Sequence, residues 1–137
     1  MRDTCKLKNN VSAVFIDDDP NIVRVVCLLC ERYGGVIMQP LHSAEEGIDW
    51  LLTHPTDVII TDFEMPKING IEMMKIINSY GITAPCIIFS AANFNTIIRD
   101  AKVSQVEIFG IVSKDGSIRS QIPTLMELII EAGKSNS

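Results

Sequence analysis

A chain of 137 residues, 47% of them hydrophobic, carries enough apolar side chain for one ordinary core. A single domain over residues 1–137 is expected, its core running from about residue 11 to about residue 132 between short polar tails. The net charge of −5, with no Lys/Arg-rich run, argues against direct nucleic acid binding, and no apolar run approaches the roughly 20 residues of a membrane span.

The polar stretch over residues 1–10 lacks the apolar segment of an export signal, so a cytoplasmic chain is expected. From there on, short β-branched apolar runs alternate with longer stretches of helical periodicity, five of each. Residues 11–17 form the first strand candidate and end on an acidic cluster. Ile22, Val25, Val26, Leu29, Cys30 and Tyr33 then follow the spacing of a buried helix face, with Asp19 as N-cap and Pro20 in the first turn. Cys27 and Cys30 make a C-x-x-C inside this helical pattern rather than at a strand-to-helix turn, so all four cysteines, Cys5 and Cys86 included, read as reduced and without a redox or metal role.

Gly34 and Gly35 stop the helix, and residues 36–41 make a weaker strand whose Pro40 suits a sheet edge. Ser43 and Glu46 have capping-box spacing before a short helix with Ile48, Leu51 and Leu52 inward, closed by His54 and Pro55. Residues 57–62 form a continuous apolar run ending on Asp62, the pattern of a central strand buried on both faces. A helix with Ile71, Met74, Ile77 and Tyr80 follows, then a strand over 86–90, a helix over 93–102 and a strand over 108–113. The last helix presents Ile118, Ile122, Leu125, Ile129 and Ala132, and Pro123 must sit near its start or kink it. This βα alternation predicts an α/β fold, a parallel sheet with helices on both faces and right-handed crossovers. Ligands of such sheets bind at the carboxyl ends of the strands.

Those ends carry Asp17 and Asp18, Asp62, Ser90 and Lys114. Three carboxylates brought together repel one another unless a cation neutralises them, and hard oxygen ligands with room for water suit Mg²⁺. One lysine and one hydroxyl beside them complete the parts needed to hold a phosphoryl group. Asp19, directly before Pro20, is accounted for as a cap, whereas Asp62 precedes a loop, Phe63-Glu64-Met65-Pro66. His42 and His54 have no partner motif and read as surface residues, and Met65, Met73 and Met74 read as core filler.

Ile16-Asp17-Asp18-Asp19-Pro20, then Thr61-Asp62-Phe63-Glu64-Met65-Pro66 continuing to Asn69-Gly70, Phe89-Ser90-Ala91-Ala92, and Val112-Ser113-Lys114 together resemble the response regulator receiver family of two-component signalling. The four motifs stand in the family's order over nearly the whole chain. The resemblance implies a flavodoxin-like (βα)5 doubly wound sheet of strand order 2-1-3-4-5. It implies that Asp62 accepts a phosphoryl group from a histidine kinase or phosphotransfer protein, and that Asp18, Asp62 and the backbone carbonyl of Glu64 ligate Mg²⁺, with Asp17 acting mainly through water. Lys114 would pair with Asp62 and then with the phosphoryl oxygens, and Ser90 would donate its hydroxyl to them. The module is then a signalling domain that assists its own phosphorylation rather than an enzyme acting on a separate substrate. Its partner contacts are expected over residues 93–133.

Three departures bear on this. Asp115 stands where the family usually has a proline in a cis peptide; a cis bond without proline costs about 3 kcal/mol, so a trans bond or a strained loop is expected. Ile111 stands at the strand position where the family often has a mobile aromatic, with Phe109 two residues earlier on the same face as a possible replacement. Glu64 places a side-chain carboxylate two residues after the phosphoacceptor. Among other classes, a haloacid-dehalogenase-type phosphatase would use Asp17 and Asp19, but Asn21 stands where that family needs a threonine-like residue. A flavin-binding module would need a Ser/Thr/Gly-rich loop where Asp18-Asp19-Pro20-Asn21 is acidic, and a receiver-like scaffold that takes no phosphate is disfavoured by the retained Asp17, Asp18, Asp62, Ser90 and Lys114.

Overall fold

The structure is a computed structural model that describes residues 10–135; Cys5 lies outside them. Strands β1 (Val11–Ile16), β2 (Val36–Leu41), β3 (Val58–Thr61), β4 (Cys86–Ser90) and β5 (Gly110–Ser113) alternate with helices α1 (Pro20–Tyr33), α2 (Ala44–Leu51), α3 (Gly70–Ser79), α4 (Phe94–Ser104) and α5 (Ile118–Ser135). All strand pairs are parallel, in the order β2-β1-β3-β4-β5. This is the expected (βα)5 doubly wound, flavodoxin-like arrangement, with β2 and its Pro40 at an edge.

Alternation along each strand divides the core into two layers. Ala13, Phe15, Ile60, Ile87 and Phe89 face α1 and α5 through Val26, Cys30, Leu125 and Ile129. Val14, Ile16, Ile59 and Ile88 face α2, α3 and α4 through Leu51, Met74, Ile77 and Ile97. The central strands β3 and β4 are buried at every position, which is why they read as unbroken apolar runs.

Helix starts follow local chemistry. The Asp19 carboxylate accepts from the backbone N–H of Asn21 and Ile22, with Pro20 supplying a preset φ at the first helical position. Ser43 Oγ accepts from Glu46 N–H at 3.0 Å, while the Glu46 carboxylate accepts from His42 N–H, one residue short of a reciprocal capping box. The reciprocal box occurs instead at α3, where Asn69 and Glu72 each accept from the other's backbone.

Several inward assignments are corrected. In α1 the buried residues are Val23, Val26 and Cys30, whereas Val25 and Tyr33 are exposed. Leu52 and Tyr80 are exposed as well, Met126 is buried, and Met73 is buried as expected of core filler. Tyr80 caps α3 rather than continuing its face. Strand β5 starts at Gly110, two residues later than the apolar run suggests, and α5 continues through Gly133 into the expected polar tail. Pro123 lies inside α5, in its second turn, where it has no N–H to donate to the Arg119 carbonyl.

Candidate functional site

The carboxyl ends of β1, β3, β4 and β5 converge. Asp17 directly follows β1, Asp62 follows β3, Ser90 is the last residue of β4, and Lys114 follows β5. The ladder hydrogen bonds run on past the strands: Asp17 N–H donates to Leu41 O, Asp62 N–H to Ile16 O, and Lys114 N–H to Ser90 O. Each chemistry-bearing side chain is therefore launched from a fixed backbone position.

Lys114 Nζ lies 2.7 Å from Asp17 Oδ2 and 3.0 Å from Asp62 Oδ2. The lysine was expected on Asp62; it bridges both carboxylates. Asp17 is 1% exposed and Asp62 8%. Burial raises the Asp17 pKa, opposed by the hydrogen bond from Lys114 and that from Asp19 N–H. Burial would lower the Lys114 pKa, but its hydrogen bond to Asp17 and the charges of Asp62 and Asp17 outweigh it and hold the amine above its ordinary value. The remaining oxygens are also engaged: Asp17 Oδ1 accepts from Asp19 N–H at 3.0 Å and Asp62 Oδ1 from Phe63 N–H at 2.7 Å. Lys114 Nζ additionally lies 5.8 Å from the centroid of the Phe89 ring, within cation–π range.

Asp18 completes the cluster from the solvent side, with one carboxylate oxygen from each of Asp17, Asp18 and Asp62 within 4.8 Å of one another. Two nearly buried carboxylates and one exposed one, sharing a single lysine, retain an excess of negative charge. That donor set, all oxygen and open on one side, fits a hard divalent cation that keeps some of its water. Glu64 is exposed beside the site. Ser90 is buried, and its Oγ accepts from Ala92 N–H at 3.1 Å, forming the turn that leads into α4.

Gly70 supplies a part of the site that reading charged residues alone misses. Its N–H donates to Phe63 O at 2.7 Å, and a Cβ there would run into the carbonyl oxygen of Asp62. The glycine of the D-x-x-M-P-x-x-x-G element is thus a close-approach residue, seating the first turn of α3 directly on the Asp62 backbone. The Lys114–Asp115 bond is trans, as is every described peptide bond. The loop is held by Asp115 N–H donating to Ser113 Oγ and Gln121 Nε2 donating to Asp115 O.

The other residues singled out lie away from this cluster. His42 is exposed beside Glu46, and His54 is exposed and stacked on the half-buried Trp50 with ring centroids 4.2 Å apart. Burial pushes the thiols of Cys27, Cys30 and Cys86 up to about 12, so they are poor nucleophiles at neutral pH. Phe109 precedes β5 and borders a cavity of about 790 Å³ with Pro85 and Cys86, at the amino end of the sheet. It therefore does not replace an aromatic at Ile111. Ile111 lines a separate groove of about 450 Å³ between α4 and β5, with Phe94, Ile98 and Lys102.

Comparison with known proteins agrees with this geometry. The family model described as the response regulator receiver domain matches residues 13–125. The response regulator GtcR of Aneurinibacillus migulanus is 33% identical over 78 residues, 56% of this chain and 31% of that protein. A protein-glutamate methylesterase/protein-glutamine glutaminase of Clostridium acetobutylicum is 29% identical over 82 residues, 59% of this chain and 24% of that protein. The aligned part thus spans a third or less of each of these two relatives. Among solved structures, the receiver domain of Francisella response regulator 1452 superposes with a TM-score of 0.79 at 26% identity, covering 93% of this chain and all of that one. With the family model matching well over half the chain, this protein belongs to the receiver domains of two-component response regulators.

Proposed function

We propose that the chain is one receiver unit in which Asp62 accepts a phosphoryl group from the phosphohistidine of a histidine kinase or phosphotransfer protein. The observation that carries this is the Lys114 ammonium set between the nearly buried carboxylates of Asp17 and Asp62, with Asp18 closing the cluster. A carboxylate held at a fixed strand end is positioned for in-line attack, which needs little beyond position and neutralised oxygens. An Asp62 oxygen forms the new bond to phosphorus as the donor's N–P bond breaks, and the electron pair leaves with the imidazole nitrogen, which then takes a proton. Lys114 turns from Asp62 to the transferred oxygens, and Ser90 donates its hydroxyl to them. Asp17, Asp18, Asp62 and the Glu64 carbonyl would hold Mg²⁺, which when bound neutralises the phosphoryl oxygens. Residues 93–133 then present the changed surface to a downstream protein or output domain in the cytoplasm. The relatives GtcR and the methylesterase carry such a segment within longer proteins.

Incubation with phosphoramidate and Mg²⁺ tests this by intact mass. A gain of about 80 Da is expected in the wild type and none in Asp62→Asn. Equal gain in both proteins contradicts the assignment.

A further inference from the structure

Resting on the phosphoacceptor reading, we propose that Thr61 is a positioning residue for the phosphoryl transfer: its buried hydroxyl fixes the Asp62–Phe63 peptide plane and, through it, the orientation of the Asp62 carboxylate. Among the described residues, the buried polar or charged ones are Asp17, Asp62, Ser90 and Thr61. Three of them carry the site's chemistry. Thr61 is fully enclosed, at 0% exposure, in a strand whose other members are Val58, Ile59 and Ile60. Packing alone gives no reason for a hydroxyl there, since valine has nearly the same shape and avoids the cost of taking a polar group out of water.

The two branches of the side chain have separate contacts. The Cγ2 methyl lies against the first residue of α3, 3.2 Å from where a Cβ on Gly70 would stand. The hydroxyl donates to the carbonyl oxygen of Asp62 at 2.9 Å. That carbonyl shares a rigid plane with the Phe63 N–H, so holding the oxygen fixes the direction of the N–H. The Phe63 N–H in turn donates to Asp62 Oδ1 at 2.7 Å, while Asp62 Oδ2 accepts from Lys114 Nζ at 3.0 Å. Hydroxyl, peptide group and carboxylate thus form a chain of hydrogen bonds in which each link polarises the next. It ends on one oxygen of the nucleophile and leaves the other to the lysine. Without the hydroxyl the plane is free to tilt, the N–H leaves Oδ1, and the carboxylate turns off the line of attack that the transfer requires.

Two pairs of proteins isolate the hydroxyl. Wild type and Thr61→Val share the branched shape, Thr61→Ser and Thr61→Ala both lack the Cγ2 methyl, and within each pair the hydroxyl makes the difference. Adduct formation with phosphoramidate and Mg²⁺ is followed by intact mass, stability by urea unfolding, and the Phe63 amide by ¹H–¹⁵N NMR without Mg²⁺. Loss of the hydroxyl is expected to slow adduct formation about fivefold in each pair, the worth of one neutral hydrogen bond, and to move the Phe63 amide proton upfield. Thr61→Ser gives up a buried methyl and is expected to be less stable than the wild type, yet to keep its amide position and its rate within about twofold. Where one pair holds a variant that does not fold, the other pair reads the same atom. Rates that follow stability across the series, with Thr61→Ser as slow as Thr61→Val, overturn the proposal alone, as does an unmoved Phe63 amide. No adduct on the wild type overturns the phosphoacceptor reading and this proposal with it.

Discussion

Lys114 is where the charge balance of the site turns. Two nearly buried carboxylates share its single ammonium, and the burial that raises the Asp17 pKa is offset by that contact. The identity of the cluster was legible because each member ends a strand, and a strand end in this fold is a fixed address. The bridge to Asp17 was not, since sequence places Lys114 near the acids without saying which oxygens it touches. We assign the exposed Glu64 carboxylate, two residues past Asp62, to orienting the hydrolytic water. Glu64→Ala is expected to lengthen the aspartyl-phosphate half-life by about threefold, well below a fully positioned base, as read by phosphate release. An unchanged decay removes this side chain from hydrolysis.

At the level of elements, the strands were legible, as were the buried faces of α3 and α5, whereas the faces of α1 and α2 were legible only in part. In α1 nearly every residue from Ile22 to Cys30 is apolar, so the 3.6-residue spacing fits more than one face, and packing against β1 and α5 selects Val23 over Val25. Tyr80 and Leu52 continue a helical spacing in sequence, but the helices cap there and the side chains leave the core. The α3 start is fixed more tightly, because Gly70 rests on the Asp62 carbonyl. Gly70→Ala must push the two apart; a loss of about 1–3 kcal/mol in urea unfolding is expected, with slower phosphorylation of Asp62. At the other end of α4, Gln105 caps the helix with φ 59°, the left-handed region that favours glycine. Gln105→Gly is expected to raise stability by about 0.5–1 kcal/mol at unchanged m-value. Equal or lower stability would show that the Gln105 side chain holds the cavity it borders.

Across the whole molecule, the two core layers cover both faces of the sheet and leave most of the exposed large apolar side chains on helices, with Ile37 exposed on the edge strand β2. The thiols report the integrity of those layers. Cys30 sits in the α1 layer and Cys86 in the layer of α3 and α4, both buried, and their pKa values stand near 12 against an ordinary 9.0. Because the folded values are raised, the neutral thiols' contribution is fully present below pH 9 and is lost as the pH climbs from there toward 12. The free energy of unfolding from urea titrations should therefore fall between pH 9 and 11, by about 1 kcal/mol per pH unit for each thiol. Removing the thiols in Cys30→Ala and Cys86→Ala should make that fall shallower, with Cys27 still contributing, and an equally steep one would place the titrating groups elsewhere. The parallel sheet with helices on both faces followed from the alternation of apolar patterns and the strand order from the family resemblance, whereas the groove between α4 and β5 could not follow from either, because it depends on how far two elements stand apart.

The acceptor itself can be located chemically. Phosphorylated protein is treated with borohydride, which reduces an aspartyl phosphate to homoserine, and the digest is sequenced by mass spectrometry. The converted residue is expected at position 62 alone, in Mg²⁺-dependent yield; conversion at Asp17 or Asp18, or at no position in protein that carries phosphate, would contradict the account.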